Sequence, residues 1–238
     1  MPMNRYLIKY TKTDNMKYIS HLDLMNVLLR AFKRAKIDLA YSQGFSPHPK
    51  ISTAHPLSLG IESIGEYLEV ELQVDLLPDA IASAMKHQLP RGIELTEIKK
   101  VTEPMKSIAS IVEVSGYLIS FYNDSLTADE LREKIASYLS LDEIQMIKIS
   151  PKTKKEKVLD IKPLIYQIDV LDHTDEENYF LLSVLLKTGS NGNLNPMALM
   201  ENISDKCSLN IDRDRLSIMR KEMYGIKEEK RVRLIDII

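Results

Sequence analysis

Over Arg5–Thr11 the chain alternates, with Tyr6, Ile8 and Tyr10 set against Leu7, Lys9 and Thr11, the period of a β-strand. The period then lengthens. Leu22, Met25, Leu28, Leu29, Phe32 and Ala35 recur at helical spacing and predict the buried stripe of a helix that starts at Ser20. Ser20-His21-Leu22-Asp23 is a capping pattern, because the serine oxygen can accept an early amide and Asp23 suits the positive end of the helix dipole. Strands are predicted around Leu39–Tyr41 and over Glu66–Gln73, where Leu68, Val70 and Leu72 alternate with Tyr67, Glu69, Glu71 and Gln73. Pro78 and Asp79 open a second helix ending near Pro90, and Ile93–Val101 reads as a further strand.

That order, β-α-β-β-α-β, is the split βαβ or ferredoxin-like arrangement. Two helices on one side of an antiparallel sheet bury that side and leave the other free. The rhythm then repeats. Ile111–Tyr122 reads as a strand, and Thr127-Ala128-Asp129-Glu130 as a capping box for a helix to about Leu139. Ile144–Ser150, Val158–Val170 and Tyr179–Lys187 read as strands. Asn195 with Pro196 begins another helix, Cys207–Arg220 is of mixed pattern, and Ile226–Ile238 adds an edge strand. The fold class predicted is α+β, with two tandem ferredoxin-like (βαββαβ) domains built on antiparallel sheets. The domains are 1–104 and 105–238, joined near Glu103–Ser107.

Composition narrows the setting. The chain has 238 residues, 44% of them hydrophobic and 28% charged, which is ordinary for a water-soluble domain pair. No apolar run approaches the ~20 residues needed to cross a bilayer, and the first residues lack the apolar region of a signal peptide. With Cys207 as its single cysteine, the chain has no internal disulfide, fits a reducing cytoplasm, and lacks the ligands for an all-cysteine zinc or iron–sulfur site. Neither a metal nor another cofactor is predicted. Net charge is −2 but unevenly spread: residues 1–60 carry nine Lys/Arg against three Asp, and residues 61–103 four against nine Asp/Glu. This predicts a basic face and an acidic face, the latter around Glu62–Asp79 and available to a partner.

The candidate chemistry concentrates between the first helix and the strand after it. Arg30, Lys33 and Arg34 stand at i, i+3 and i+4 and project together. Tyr41-Ser42-Gln43-Gly44-Phe45-Ser46-Pro47-His48-Pro49-Lys50 is too polar for core and too rich in aromatics and donors for a linker. Gly44 permits conformations closed to other residues, and Pro47 and Pro49 stiffen their neighbours, including His48. Tyr41 and Phe45 can stack on bases, Gln43 can donate and accept, and Lys50 with the helix cations can neutralise phosphates. The competing reading is a plain hairpin with Phe45 in the core. His21 and His48 are the candidates for acid–base catalysis, but neither has an adjacent carboxylate. Asp160-Ile161-Lys162-Pro163, after Lys152, Lys154, Lys155 and Lys157, is either a second phosphate-contacting loop, with Asp160 and Lys162 as a pocket pair, or a solvated hairpin. Gly189–Asn193 lacks the lysine of a phosphate-binding P-loop and reads as a turn.

Tyr41 to Ser52, with His21-Leu22-Asp23-Leu24, Arg30-Ala31-Phe32-Lys33-Arg34-Ala35, Pro56-Leu57-Ser58-Leu59-Gly60, Gly65-Glu66-Tyr67-Leu68 and Asp160-Ile161-Lys162-Pro163, resembles the bacterial radical SAM-linked proteins of unknown function. The likeness covers most of the chain and is densest over 20–72. It implies a module fused to, or encoded beside, a radical SAM enzyme, with an RNA or ribosomal component as substrate. The CxxxCxxC motif that ligates the radical SAM cluster is missing, so the resemblance implies a companion and not the catalyst. Two fold-level analogies point to enzymes. Glycine-rich loops on ferredoxin-like folds are similar to those of CRISPR repeat-processing ribonucleases, and tandem ferredoxin-like domains resemble pseudouridine synthases. The latter use a loop aspartate, and here no aspartate lies between Asp38 and Asp75. The function expected is therefore a non-catalytic RNA-binding or substrate-presenting companion. The alternatives are a metal-independent, His-mediated RNA enzyme and a protein-binding adaptor using its free sheet face.

Overall fold

The structure is a computed structural model that describes residues 4–149, 156–171 and 178–238. Along the chain come β1 (Asn4–Lys12), α1 (His21–Arg34), β2 (Ile51–Thr53), β3 (Glu62–Leu72), α2 (Pro78–Met85), β4 (Leu95–Lys100) and the single turn α3 (Ile108–Ile111). There follow β5 (Val114–Tyr122), α4 (Ala128–Ser140), β6 (Gln145–Ile149), β7 (Glu156–Asp160), β8 (Ile165–Leu171), β9 (Tyr179–Lys187), α5 (Pro196–Cys207), β10 (Leu216–Lys227) and β11 (Lys230–Arg233). The fold is α+β, dominated by antiparallel strand pairs with few helices. Among the described residues no helix is long and apolar enough to cross a membrane.

Two compact units emerge, residues 1–114 with 220–238, and residues 115–219. A single boundary near residue 104 therefore does not divide the chain, because the end of β10 and everything after it return to the first unit. The reason is apolar burial. Met223, Leu234 and Ile235 pack with Leu7, Tyr67, Ile108 and Val112 in one core cluster.

In the first unit the strand order is β4-β1-β3-β10. β1 is antiparallel to both β3 and β4, β2 adds to β3 at Val70–Leu68, and β11 adds to β10. Tyr6, Ile8, Tyr10, Leu68, Val70 and Leu72 share one sheet face, which Leu24, Leu28 and Phe32 of α1 and Ile81 and Met85 of α2 cover. The opposite face, expected from the sequence to be free, is covered instead. Leu7 and Tyr67 are apolar at outward positions, and α3 and the C-terminal residues bury them. Two further expectations change. Leu22 is 73% exposed, because two residues from Leu24 is about 200° around a helix and turns it away from the core. Leu39–Tyr41 forms only isolated bridges, Leu39 to Leu72 and Tyr41 to Pro49, since Gly44, Pro47 and Pro49 prevent a continuous ladder.

The second unit does not repeat βαββαβ plainly. After β5 and α4, the β6–β7 hairpin forms its own two-stranded sheet, and β5, β9 and β8 are neighbours in another. Thr127 and Glu130 make a full capping box on α4, and Asn195 caps α5 by accepting from Met197. Tyr138 donates to Asn202 at 2.7 Å, tying α4 to α5.

The predicted acidic face is largely neutralised within the first unit. Glu62 pairs with Lys17, Glu66 with Arg220, Glu69 with Arg5, Glu71 with Lys50 and Asp75 with Lys100. Cations of the first sixty residues thus meet anions of β3, whose strand is built against theirs, so much of the sequence asymmetry is internal complementarity.

Candidate functional site

Two places in the first unit gather the chemistry-bearing residues. The first is the segment after α1. Ser42 and His48 close it: the Ser42 amide donates to the His48 carbonyl at 2.8 Å, and the His48 amide donates to Ser42 Oγ at 3.0 Å. One step further back, the Lys50 amide donates to the Ala40 carbonyl. The tip, Gln43 to Pro47, is carried outward, with Gly44 at φ +124° making the turn that a side chain would strain. Phe45 is fully exposed and Tyr41 half exposed, so Phe45 is not core. Tertiary contacts sort the cations. Arg34 donates to the Gln88 carbonyl and Lys50 pairs with Glu71 at 2.8 Å. Arg30 and Lys33 are exposed and make no ion pair among the described residues.

The second place was missed by sequence reasoning. At the far end of the helix-covered sheet face, the inward row of β1 ends in Lys12 and that of β3 in Glu66. Lys12 is 1% exposed and its ammonium donates to the Ile19 carbonyl at 3.0 Å. Arg220, from β10, meets Glu66 at 2.9 Å with both side chains buried. The same guanidinium donates to the His55 carbonyl at 3.1 Å and the Pro56 carbonyl at 3.3 Å, so it fixes the segment after β2. Tyr10, Lys12, His21, Leu24, Thr53, Pro56, Leu57 and Glu66 line a crevice of about 10 Å³, room for one water or one ligand atom. The Tyr10 hydroxyl is buried there with no hydrogen-bond partner.

Burial and neighbouring charge set the protonation of this cluster. Burial pushes the Tyr10 hydroxyl well above its ordinary value, and Glu66 adds to the rise. Burial also lowers Lys12, against the pull of Glu66. His55 falls to about 4, first because it is desolvated and then because the Arg220 charge repels a proton. A signal for the site was present in the alternation: Glu66 shares parity with Leu68 and Val70, and Lys12 with Ile8 and Tyr10, so each is a charge at a core-facing position.

The structure does not bring the two candidate histidines together. His21 stands by Glu66, whereas His48 lies two residues from Lys50, whose carbonyl accepts from the Glu71 amide. From Glu66 to Glu71 is about 17 Å of strand. In the second unit, Asp160 accepts from the amides of Ile144 and Lys162 at 2.9 and 3.0 Å, and the Lys162 ammonium donates to the Leu141 carbonyl. Asp160 and Lys162 thus secure a turn through backbone groups and do not pair with each other. Lys152, Lys154 and Lys155 lie outside the described residues. A concavity of about 970 Å³ between the β6–β7 hairpin and α5 is wide and contains none of the candidate residues. Among the described residues no group of three or more His, Cys, Asp or Glu is arranged to hold a metal ion.

A solved structure shares the fold. A chain in "Crystal Structure of a Cbf5-Nop10-Gar1 Complex" aligns over 94% of this chain and 50% of its own, with a TM-score of 0.50 and 13% identity. A chain in "Crystal structure of the archaeal box H/ACA sRNP Nop10-Cbf5 complex" covers 90% of this chain and 46% of its own, with a TM-score of 0.43 and 10% identity. The protein spans about half the length of these chains, and at 13% identity the first likeness concerns fold alone. No curated protein matches it. Residues 5–196 match the family model described as "Uncharacterized protein conserved in bacteria (DUF2344)", and the chain belongs to that family.

Proposed function

We propose that this protein is a non-catalytic module that binds single-stranded RNA and presents it to a partner enzyme. The partner class is a radical SAM enzyme, which the resemblance of residues 20–72 implies. One observation carries the reading: Phe45, fully exposed, stands at the tip of a hairpin that its own hydrogen bonds hold in shape. An apolar ring in that position stabilises nothing in the fold, and an aromatic face offered to solvent on a stiff loop suits base stacking. Tyr41 supplies a second ring. Arg30 and Lys33, at the end of α1 from which the chain enters the hairpin, supply charge for phosphates. We read the two units as two ferredoxin-like halves, the second elaborated by its extra hairpin.

The test measures anisotropy of a labelled single-stranded RNA across a salt series. Phe45→Ala should weaken binding about fivefold or more, given the ~1–3 kcal/mol worth of one stacked base. Arg30→Glu with Lys33→Glu should weaken it further and reduce the salt slope by about one per lost phosphate contact. Affinity and slope unchanged in both variants would overturn the proposal. A parallel pull-down, with bound RNA and protein both identified, names the partner. Recovery of a protein without RNA, insensitive to Phe45→Ala, would make the chain an adaptor.

A further inference from the structure

We infer that a concavity at the base of the hairpin reads one unpaired guanine of the bound RNA. The inference rests on the RNA-binding reading above and names the base that the strand carries. On the sheet face away from α1, Arg5 of β1 and Glu69 and Glu71 of β3 share the parity of Leu7 and Tyr67, and Ser52 of β2 lies opposite Glu69. These four and Lys50 line a concavity of about 410 Å³, with Pro49, Ile51 and Met105 as its apolar part. That volume is in the range of small-molecule sites. Pro49 and Lys50 are also the foot of the hairpin, and no more than ~14 Å of chain joins Pro49 to Phe45 at the tip. Neighbouring nucleotides of one strand can therefore occupy both places.

The walls are held in place by the fold itself. Arg5 donates to the Met105 and Lys106 carbonyls at 2.9 Å each and pairs with Glu69 at 2.8 Å, and Glu69 also accepts from the Ile108 amide at 2.8 Å. Two cations and two carboxylates line the space, so their formal charges cancel, and a neutral polar ring suits it better than a phosphate. The groups left unused define the edge of that ring. Glu71 pairs with Lys50 at 2.8 Å through Oε2, and its Oε1 has no partner among the described residues. Lys50 keeps two further N–H groups. A carboxylate accepts best from two parallel N–H groups. Guanine alone among the four RNA bases sets two of them, N1–H and N2–H, beside an acceptor, O6. Glu71 takes the two N–H groups and Lys50 donates to O6. The other three bases set one N–H or amino group next to a bare acceptor, which the second carboxylate oxygen repels. Reading an unpaired base by this edge, against apolar side chains, is the common mode of single-strand recognition.

Anisotropy with the full chain compares a labelled all-uridine strand with strands in which one central uridine is replaced by guanosine, inosine or adenosine. The guanosine strand should bind about fivefold or more tighter than the uridine and adenosine strands. Inosine lacks only the N2 amino group and should lose most of that gain, a comparison that alters the RNA and leaves the protein intact. Glu71→Gln, which puts an amide donor where the carboxylate accepted, should bring the guanosine and uridine strands level and leave the uridine affinity as it was. Free guanosine and inosine, titrated into the protein and followed by saturation-transfer NMR, test the concavity apart from the hairpin. Guanosine bound more tightly than inosine, with RNA affinity indifferent to Phe45→Ala, would uphold the concavity and remove the hairpin reading. A guanosine preference found neither in the strand nor for the free nucleoside, or one that survives Glu71→Gln unchanged, would overturn the inference, and the hairpin reading would still stand if Phe45→Ala weakens the uridine strand.

Discussion

Arg220 and Glu66 stand 154 positions apart in the chain, yet their side chains meet at 2.9 Å with about 2–3% of each exposed. β10 delivers the guanidinium, β3 the carboxylate, and the backbone carbonyls of His55 and Pro56 accept further hydrogen bonds from the guanidinium. The pair joins three segments of the first unit at one point. Glu66 also lines the small crevice shared with Lys12 and Tyr10.

Removing Glu66 takes away the carboxylate that meets the buried Arg220 guanidinium at 2.9 Å. Glu66→Leu is expected to destabilise the protein by about 3–5 kcal/mol. Replacing both, as Glu66→Leu with Arg220→Met, should recover much of that loss, because two apolar side chains need no compensating charge. Urea unfolding of the two single variants and the double variant measures the coupling. Simple additivity would mean that the ion pair is not what holds the segments together.

Gly65 lies where β3 and β10 come closest. A Cβ there would sit 2.5 Å from the Lys221 carbonyl oxygen and 2.7 Å from Glu222 Cα, both backbone atoms that cannot step aside. Gly65→Ala should destabilise by about 1–3 kcal/mol, the range for forced overpacking. Chemical denaturation with Thr102→Ala as an exposed control checks this, and equal stabilities would show that the strands can separate to admit a methyl group.

The His55 ring gives stability a pH dependence. In the unfolded chain it takes a proton near 6.5, but when folded only near 4. Between those values the unfolded state holds the additional proton, so stability falls as pH drops through the window. Above pH 7 the ring is neutral in both states and contributes nothing. The ring is not fully enclosed, so the change from pH 6.5 to 4 should be about 1–2 kcal/mol, less than the full shift would imply. His55→Gln should flatten the unfolding free energy over this interval relative to wild type, and an unchanged profile would assign the acid sensitivity elsewhere.

Phe45 makes the opposite kind of prediction. A fully exposed side chain contributes almost no burial, so Phe45→Ala should alter stability by less than about 0.5 kcal/mol. A control at the same chemistry, Phe32→Ala in the core, should lose about 3–5 kcal/mol. Guanidinium melts of the two compare them directly. A large loss for Phe45→Ala would mean that the ring is covered in solution.

Local order was plain in the alternation and the caps. The period of Tyr6, Ile8 and Tyr10 announced β1, Met25, Leu28 and Phe32 announced α1, and Thr127 with Glu130 announced the start of α4. These features depend on neighbours within a few positions, where backbone geometry and side-chain spacing act alone. Leu22 misled because its spacing to Met25 and Leu29 is helical, while the side of α1 that meets the sheet is chosen by the sheet. The hairpin tip was legible as a stiff exposed loop, since prolines and a glycine around aromatics exclude both core and linker.

What the sequence determined by itself, then, is the run of local elements, the stiff exposed hairpin, and the presence of charges at two core-facing positions, Lys12 and Glu66. The tertiary structure alone decided what those charges meet. A chain cannot announce a partner 154 residues away, because Arg220 has the same local pattern whether it faces solvent or Glu66. Likewise the separation of cations in residues 1–60 from anions in 61–103 looked like two faces, and antiparallel pairing turned much of it into contacts. Coulomb attraction acts through space and not along the chain, so only the folded arrangement could show which charges were already matched.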